Sequence, residues 1–275
     1  MRAAAVQLNS TDDKDRNLES ADRLTRAAAA DGADLVVLPE KFNVLGTPEH
    51  YREGAETLDG RTIAWARETA AELGVDLVAG SIVERREGRE KLSNTSVHIG
   101  PGGEIKAVYR KIHMFDVEVG GQVYRESDSE EAGDEIVVSD ISGVPLGMTV
   151  CYDLRFPELY RILAVRGARV ITIPAAFTKV TGQAHWELLI RARAVENQAF
   201  VVAADQIGRH PPDKESFGGS MIVDPWGEVL ARAPDEEGFV AADLDFERQD
   251  EVREKLPSLA NRVAGAYRWP HEVTV

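Results

Sequence analysis

Cys151 is the single cysteine of a 275-residue chain and closes the apolar run "VPLGMTVC". Two other reactive side chains stand in the same kind of position. Glu40 ends "DLVVLPE", and Lys111 follows "EIKAVYR". A thiol, a carboxylate and an ammonium are a nucleophile, a proton acceptor and a fixed positive charge, the groups that acyl transfer requires. Each also has an ordinary explanation. A solitary cysteine is most often a small buried hydrophobe. A glutamate after proline is most often a loop carboxylate, and a lysine beside Arg110 half of a solvated basic pair. Their shared placement sets them apart. In open α/β sheets ligands gather beyond the carboxyl ends of strands, so three strand ends could bring these groups to one rim.

The elements that must position them alternate along the chain. "RAAAVQL" reads as a buried strand, and "NLESADRLTRAAAADGA" as a helix closed by Gly32. "DLVVLPE" is a short strand, and "TIAWARETAAELG" a helix closed by Gly74. "DLVAGSIVE", "KLSNTSVHIG" and "EIKAVYRKI" read as strands, the last two joined by a "PGG" turn. "ESDSEEAGDE" reads as a solvated acidic loop. After "VPLGMTVC" comes the helix "PELYRILAVRGA", with Pro157 at its first position. The strand "RVITIPAAF", the helix "HWELLIRARAVENQ", the strands "FVVAADQI", "SMIVDPWGEVLA" and "FVAADLD", and a surface helix "FERQDEVREKL" complete the set. No linker, repeat or low-complexity block interrupts it, so residues 1–275 are expected to form a single domain. Ten or more strands interleaved with helices suit two packed sheets, each with helices outside, better than one doubly wound sheet.

Composition excludes several classes. The chain is 43% hydrophobic and 29% charged, an ordinary globular profile. A formal net charge of −15 argues against non-specific binding to nucleic acid or to an acidic membrane. No apolar run approaches the ~18 residues of a membrane span. The N-terminal apolar stretch is shorter than a signal-peptide core and is followed at once by acids. One cysteine allows no internal disulfide and fits a reducing compartment; a cytoplasmic location is expected. The six histidines are scattered and no HExxH pattern occurs, so no metal and no cofactor is expected.

The segments "LPEKFN", "YRKIHMFD" and "TVCYDLRFPELYR" resemble, in order and spacing, the three signatures of the nitrilase superfamily of carbon–nitrogen hydrolases. The resemblance runs from "AAAVQLNS" to "GFVAADLD" and implies a four-layer α-β-β-α sandwich carrying a Glu40–Lys111–Cys151 triad. It implies that Cys151 attacks the carbonyl carbon, that Glu40 carries the proton, and that Lys111 and the backbone N–H of Tyr152 hold the oxyanion. It also implies a second glutamate, by position Glu126. The start of the helix at Pro157 is expected to favour the thiolate.

Around this centre, Asp153, Arg155 and Glu158 are expected to form an ion-pair frame for the turn after Cys151. His113 is expected to orient its loop, and His185 to open a helix near the site. Trp226 is expected in the core, beside a turn at Pro225–Gly227. "NTS" at Asn94 matches a glycosylation pattern that has no meaning in a cytosolic chain.

"AHWELLIRARAVENQ" and "DPWGEV" further resemble the amidase branches that act on small linear amides. The substrate implied is deaminated glutathione or the ω-amide of a keto acid, hydrolysed to a carboxylate and ammonia. The sequence departs from the deaminated-glutathione branch at Gly219, where that branch carries a histidine. A nitrilase or an N-carbamoyl amino acid hydrolase with the same triad is the alternative, and a non-catalytic binding protein of the same fold a more distant one. A distal carboxylate needs a cation, and Lys179 and Arg209 are the candidates, with Phe177 lining the acyl channel. A homodimer or larger homo-oligomer is expected, in contact through the helices "PELYRILAVRGA" and "HWELLIRARAVENQ". Neither nucleic acid nor membrane is an expected partner. The segment "NRVAGAYRWPHEVTV" matches no expected element.

Overall fold

The computed structural model describes residues 1–267. The chain begins with β1 (Arg2–Gln7), α1 (Lys14–Ala30) and β2 (Leu35–Val37). Helices α2 (Pro48–Gly54) and α3 (Arg61–Leu73) follow. Then come β3 (Asp76–Val78), β4 (Ile82–Glu84), β5 (Ser93–Ile99), β6 (Ile105–Arg110) and the hairpin β7 (Asp116–Val119) and β8 (Gln122–Arg125). The next segment holds β9 (Val138–Ile141), β10 (Val144–Met148), α4 (Pro157–Val165), β11 (Val170–Ala175), α5 (Lys179–Asn197) and β12 (Phe200–Asp205). A second hairpin, β13 (Ile207–His210) and β14 (Lys214–Phe217), precedes β15 (Met221–Val223), β16 (Val229–Arg232), β17 (Gly238–Asp243) and α6 (Phe246–Lys255).

Two sheets carry the fold. One runs in the order β17-β1-β2-β3-β5-β4, with β6 also pairing β5; the other runs β16-β15-β12-β11-β10-β9. The central strands β1, β2 and β3 are parallel, as are β10, β11 and β12. Side chains alternate along each strand with the period of two that a pleated strand imposes. Ala3, Ala5, Leu35, Val37, Val170, Val202 and Ala204 meet in one buried cluster between the sheets. Their neighbours Ala4, Val6, Val36 and Leu77 face α1 and α3 on the outer side of the first sheet. Ile171, Ile173, Val201 and Ala203 face α4 and α5 outside the second. The result is the four-layer α-β-β-α sandwich.

The elements end where local chemistry ends them. Gly74 closes α3 in the left-handed region at φ 67°, which costs glycine nothing. Pro157 occupies the first turn of α4. Helix α5 starts at Lys179, six residues before the "HWELL" motif, so His185 lies inside the helix rather than at its start. Gly182 permits this: a Cβ there would lie 2.2 Å from the Cβ of Phe217 on β14, so the helix packs close against the hairpin. Trp226 is 59% exposed, which corrects its expected place in the core. The turn around it forms as expected, with Asp224 Oδ1 accepting from the backbone N–H of Trp226 and of Glu228. Of the C-terminal segment, residues 268–275 lie outside the described residues. Among those described, no helix is long and apolar enough to cross a membrane.

Candidate active site

Glu40, Lys111 and Cys151 lie just beyond β2, β6 and β10, and all three line one cavity of about 520 Å³. The carboxyl ends of these strands bring together residues far apart in the chain. Glu40 is buried, and its oxygens are fully engaged. Lys111 Nζ donates to Oε1 at 3.0 Å, Asn94 Nδ2 to Oε1 at 2.7 Å, and the backbone N–H of Ala176 to Oε2 at 2.9 Å. The loop carrying Ala176 is held in turn by Asp205, whose Oδ1 accepts from the Phe177 N–H at 2.8 Å. The strand-end positions thus fix a carboxylate between two sheets by bonds from both.

Lys111 is also held by Glu126, at 2.7 Å to Oε2 and 3.0 Å to Oε1. Burial works against the ammonium, but Glu126 and Glu40 outweigh it and hold Lys111 well above the ordinary lysine range. Burial likewise opposes the Glu126 charge, and Lys111 and Lys41 hold that carboxyl well below its usual range. Glu126 therefore sits where sequence position put it. The acidic loop that contains it is not uniformly solvated, however. Glu130, from the same run, is buried beside Lys41, at 2.5 Å between Oε1 and Nζ. Burial, with Glu126 nearby, raises Glu130 to about 7 against the pull of Lys41.

Cys151 is buried at the start of a 3₁₀ turn spanning Cys151–Arg155, with φ of 49°. A non-glycine residue in the left-handed region is strained, and such strain persists only where the surroundings impose it. Asp153 imposes it here. Its Oδ2 accepts from the Val150 N–H at 2.9 Å and from the Tyr109 hydroxyl at 2.6 Å, and its Oδ1 lies 2.7 Å from His113 Nδ1. His113 thus ties its own loop to the turn. Burial and the Glu40 charge push the Cys151 thiol up, against the pull of Lys111. The upward push favours the thiol form of Cys151 beside the Glu40 carboxylate.

The ion-pair frame expected of Asp153, Arg155 and Glu158 does not form. Asp153 bonds Tyr109 and His113 instead. Arg155 lies over the Phe177 ring, 5.2 Å from its centroid, with Nη1 3.3 Å from His185 Nδ1. Glu158 is exposed on the first turn of α4 and has no ion-pair partner among the described residues.

Tyr152 and Phe177 line the cavity with the triad positions. Lys179 and Arg209 are not brought there. Lys179 lines a smaller neighbouring cavity and pairs with Glu215 at 2.6 Å, and Arg209 is exposed on β13. Residues missed in the sequence are Asn94, Lys41, Glu130 and Lys214. Asn94 was set aside as a glycosylation match, yet it is buried and bridges Glu40 and Glu126, at 2.7 and 3.2 Å. The available signal was its position in "SNTSV", a polar residue inside a strand pattern.

A thiol, a carboxylate and a buried ammonium line one partly open cavity on a four-layer sandwich, a set of groups that could serve acyl transfer. Residues 2–254 match the carbon-nitrogen hydrolase family, and the chain belongs to it. It is 41% identical to deaminated glutathione amidase of Bos taurus, over 96% of this chain and 82% of that one. It is 39% identical to omega-amidase NIT2 of Homo sapiens, over 97% and 96%. The NitFhit protein of C. elegans superposes with a TM-score of 0.90 at 34% identity, covering 97% of this chain and 66% of that longer one. The protein is a carbon–nitrogen hydrolase of the amidase kind.

Proposed function

We propose that the chain hydrolyses small linear carboxamides through a Cys151 acyl-enzyme. The observation that carries this is the convergence of Glu40, Lys111 and Cys151 on one cavity, with Lys111 held between Glu40 and Glu126. Glu40 removes the thiol proton as Sγ bonds to the amide carbon. The carbonyl electron pair moves to oxygen, and the oxyanion is met by the Lys111 ammonium and the Tyr152 backbone N–H. Collapse expels ammonia, which takes the proton from Glu40, and leaves a thioester. Water then gives its proton to Glu40 and attacks the thioester, and the carboxylic product leaves as the thiol is restored. The high thiol range suits this order, since proton removal and attack are coupled and no free thiolate waits at rest.

The names of the relatives favour deaminated glutathione or the ω-amides of keto acids as substrates. Release of ammonia from a panel of these compounds, simple aliphatic amides, nitriles and carbamoyl amino acids tests the proposal. Cys151→Ala should abolish turnover with an unchanged thermal melt. Full activity in that variant overturns the mechanism.

The outer faces of α4 and α5 expose Ile162, Val165 and Leu188, and Trp226 stands nearby beside Gly227, whose position a Cβ would bring within 2.6 Å of Val195 on α5. We propose that a second copy covers this face. Light scattering at micromolar concentration should give at least a dimer, and a monomer removes the proposal.

A further inference from the structure

We propose that Lys214 sets the substrate specificity of this cavity by receiving a carboxylate at the end of the amide remote from the scissile bond. The inference rests on the amidase function proposed above and names the substrate's far end. Lys214 opens β14, directly across the hairpin from His210 of β13, and lines the same cavity as Cys151. Its ammonium stands 5.5 Å from the centroid of the Tyr124 ring, and among the described residues no carboxylate pairs with it. The adjoining acid, Glu215, is turned to Lys179 at 2.6 Å. Burial, with Lys41 nearby, pushes Lys214 below the ordinary lysine range, against the weaker pull of Glu130 and Glu126. That is the condition of a cation partly removed from water with no carboxylate in contact with it.

The other cations of the cavity are differently placed. Lys111 is held by Glu40 and Glu126, and Lys41 by Glu130. Arg52 and Arg125 are exposed at the rim, and Arg52 pairs with Glu49. Lys214 is therefore the half-buried ammonium left for a ligand. A carboxylate arriving there would replace a costly unpaired charge with a charge-assisted hydrogen bond. Phe115, Tyr124 and Phe177 also line the cavity and offer apolar walls to a methylene chain between the two ends. The class of substrate that fits is a linear ω-carboxy amide, its amide at Cys151 and its carboxylate at Lys214.

The experiment compares glutaramate with 5-oxohexanamide, in which an acetyl group replaces the carboxylate. Lys214→Met should raise KM for glutaramate at least about tenfold more than KM for 5-oxohexanamide, the scale of one charge-assisted bond. Lys214→Arg should keep most of the wild-type preference, because the charge is kept. Equal changes for both amides in Lys214→Met, or none, overturn the proposal. If the wild type cleaves neither amide, the amidase function fails separately, and glutarate binding by calorimetry still decides the role of Lys214. Loss of glutarate binding in Lys214→Met then supports the proposal, and equal binding to both proteins overturns it.

Discussion

Asn94 Nδ2 donates to Glu40 Oε1 at 2.7 Å, from near the start of β5, and the Asn94 backbone carbonyl accepts the Lys111 N–H at 2.9 Å. One residue of β5 thereby holds the proposed base by its side chain and the proposed oxyanion cation by its backbone. Asn94→Ala keeps the second bond and loses the first. It should lower kcat by about 10- to 100-fold, since a misplaced carboxylate costs catalysis more than binding. Steady-state kinetics beside a thermal melt checks this, and an unchanged kcat contradicts it.

Glu130 makes the stability of the fold depend on pH. Its folded value is raised from 4.5 to about 7. Below the unfolded value both states hold the proton and the group contributes nothing. As pH rises through the window from 4.5 to 7, the unfolded chain ionises first, so stability falls. The loss is complete above the folded value. Glu130→Gln mimics the protonated acid and still accepts from Lys41. Its melting temperature should match the wild type near the low end of the window and exceed it above the high end. Parallel pH profiles of the two proteins would remove the assignment.

Gly80 carries the loop of Glu40. A Cβ there would stand 1.9 Å from the Pro39 carbonyl oxygen, with φ of 35°, and neither neighbour is a side chain that could swing away. The adjoining Ser81 supports the same loop, its Oγ accepting from the Lys41 N–H at 2.9 Å. Gly80→Ala should destabilise the protein by more than about 2 kcal/mol and depress activity in the fraction that folds. Chemical denaturation measures the first effect, and wild-type stability would show that the loop has another way to relax.

Tyr109 is buried and donates to Asp153, the residue that holds the strained turn of Cys151. Tyr109→Phe leaves Asp153 its bonds from Val150 and His113. A loss of about 1–2 kcal/mol is expected from the missing hydrogen bond, together with a fall in kcat at nearly constant KM. An effect on stability alone would show that the remaining bonds suffice to hold the turn.

The places of Glu40 and Cys151 were legible in the sequence for a physical reason. The parallel strands β2 and β10 are short apolar runs, so the reactive residues soon after them, Glu40 and Cys151, mark the rim; β6 before Lys111 is antiparallel and partly exposed, and only its motif marked that place. The four layers were legible too, because the strands interleaved with helices outnumber the places in one doubly wound sheet. Glu126 followed from motif position. Sequence determined, by itself, which residue types stand at the strand ends that meet at the cavity.

Tertiary structure alone decided how the charges pair. Lys41 and Lys111 each follow a strand, but only their distances show that one meets Glu130 and the other Glu40 and Glu126. Lys179 and Lys214 lie in similar polar surroundings in the chain. Glu215 meets the first and leaves the second facing the cavity, a choice made by the packing of α5 on β14 at Gly182. Trp226 is exposed and Asn94 buried, the reverse of what their residue types suggest. Burial of a side chain is set by what packs against it from distant parts of the chain, and a sequence pattern registers only its own strand or helix.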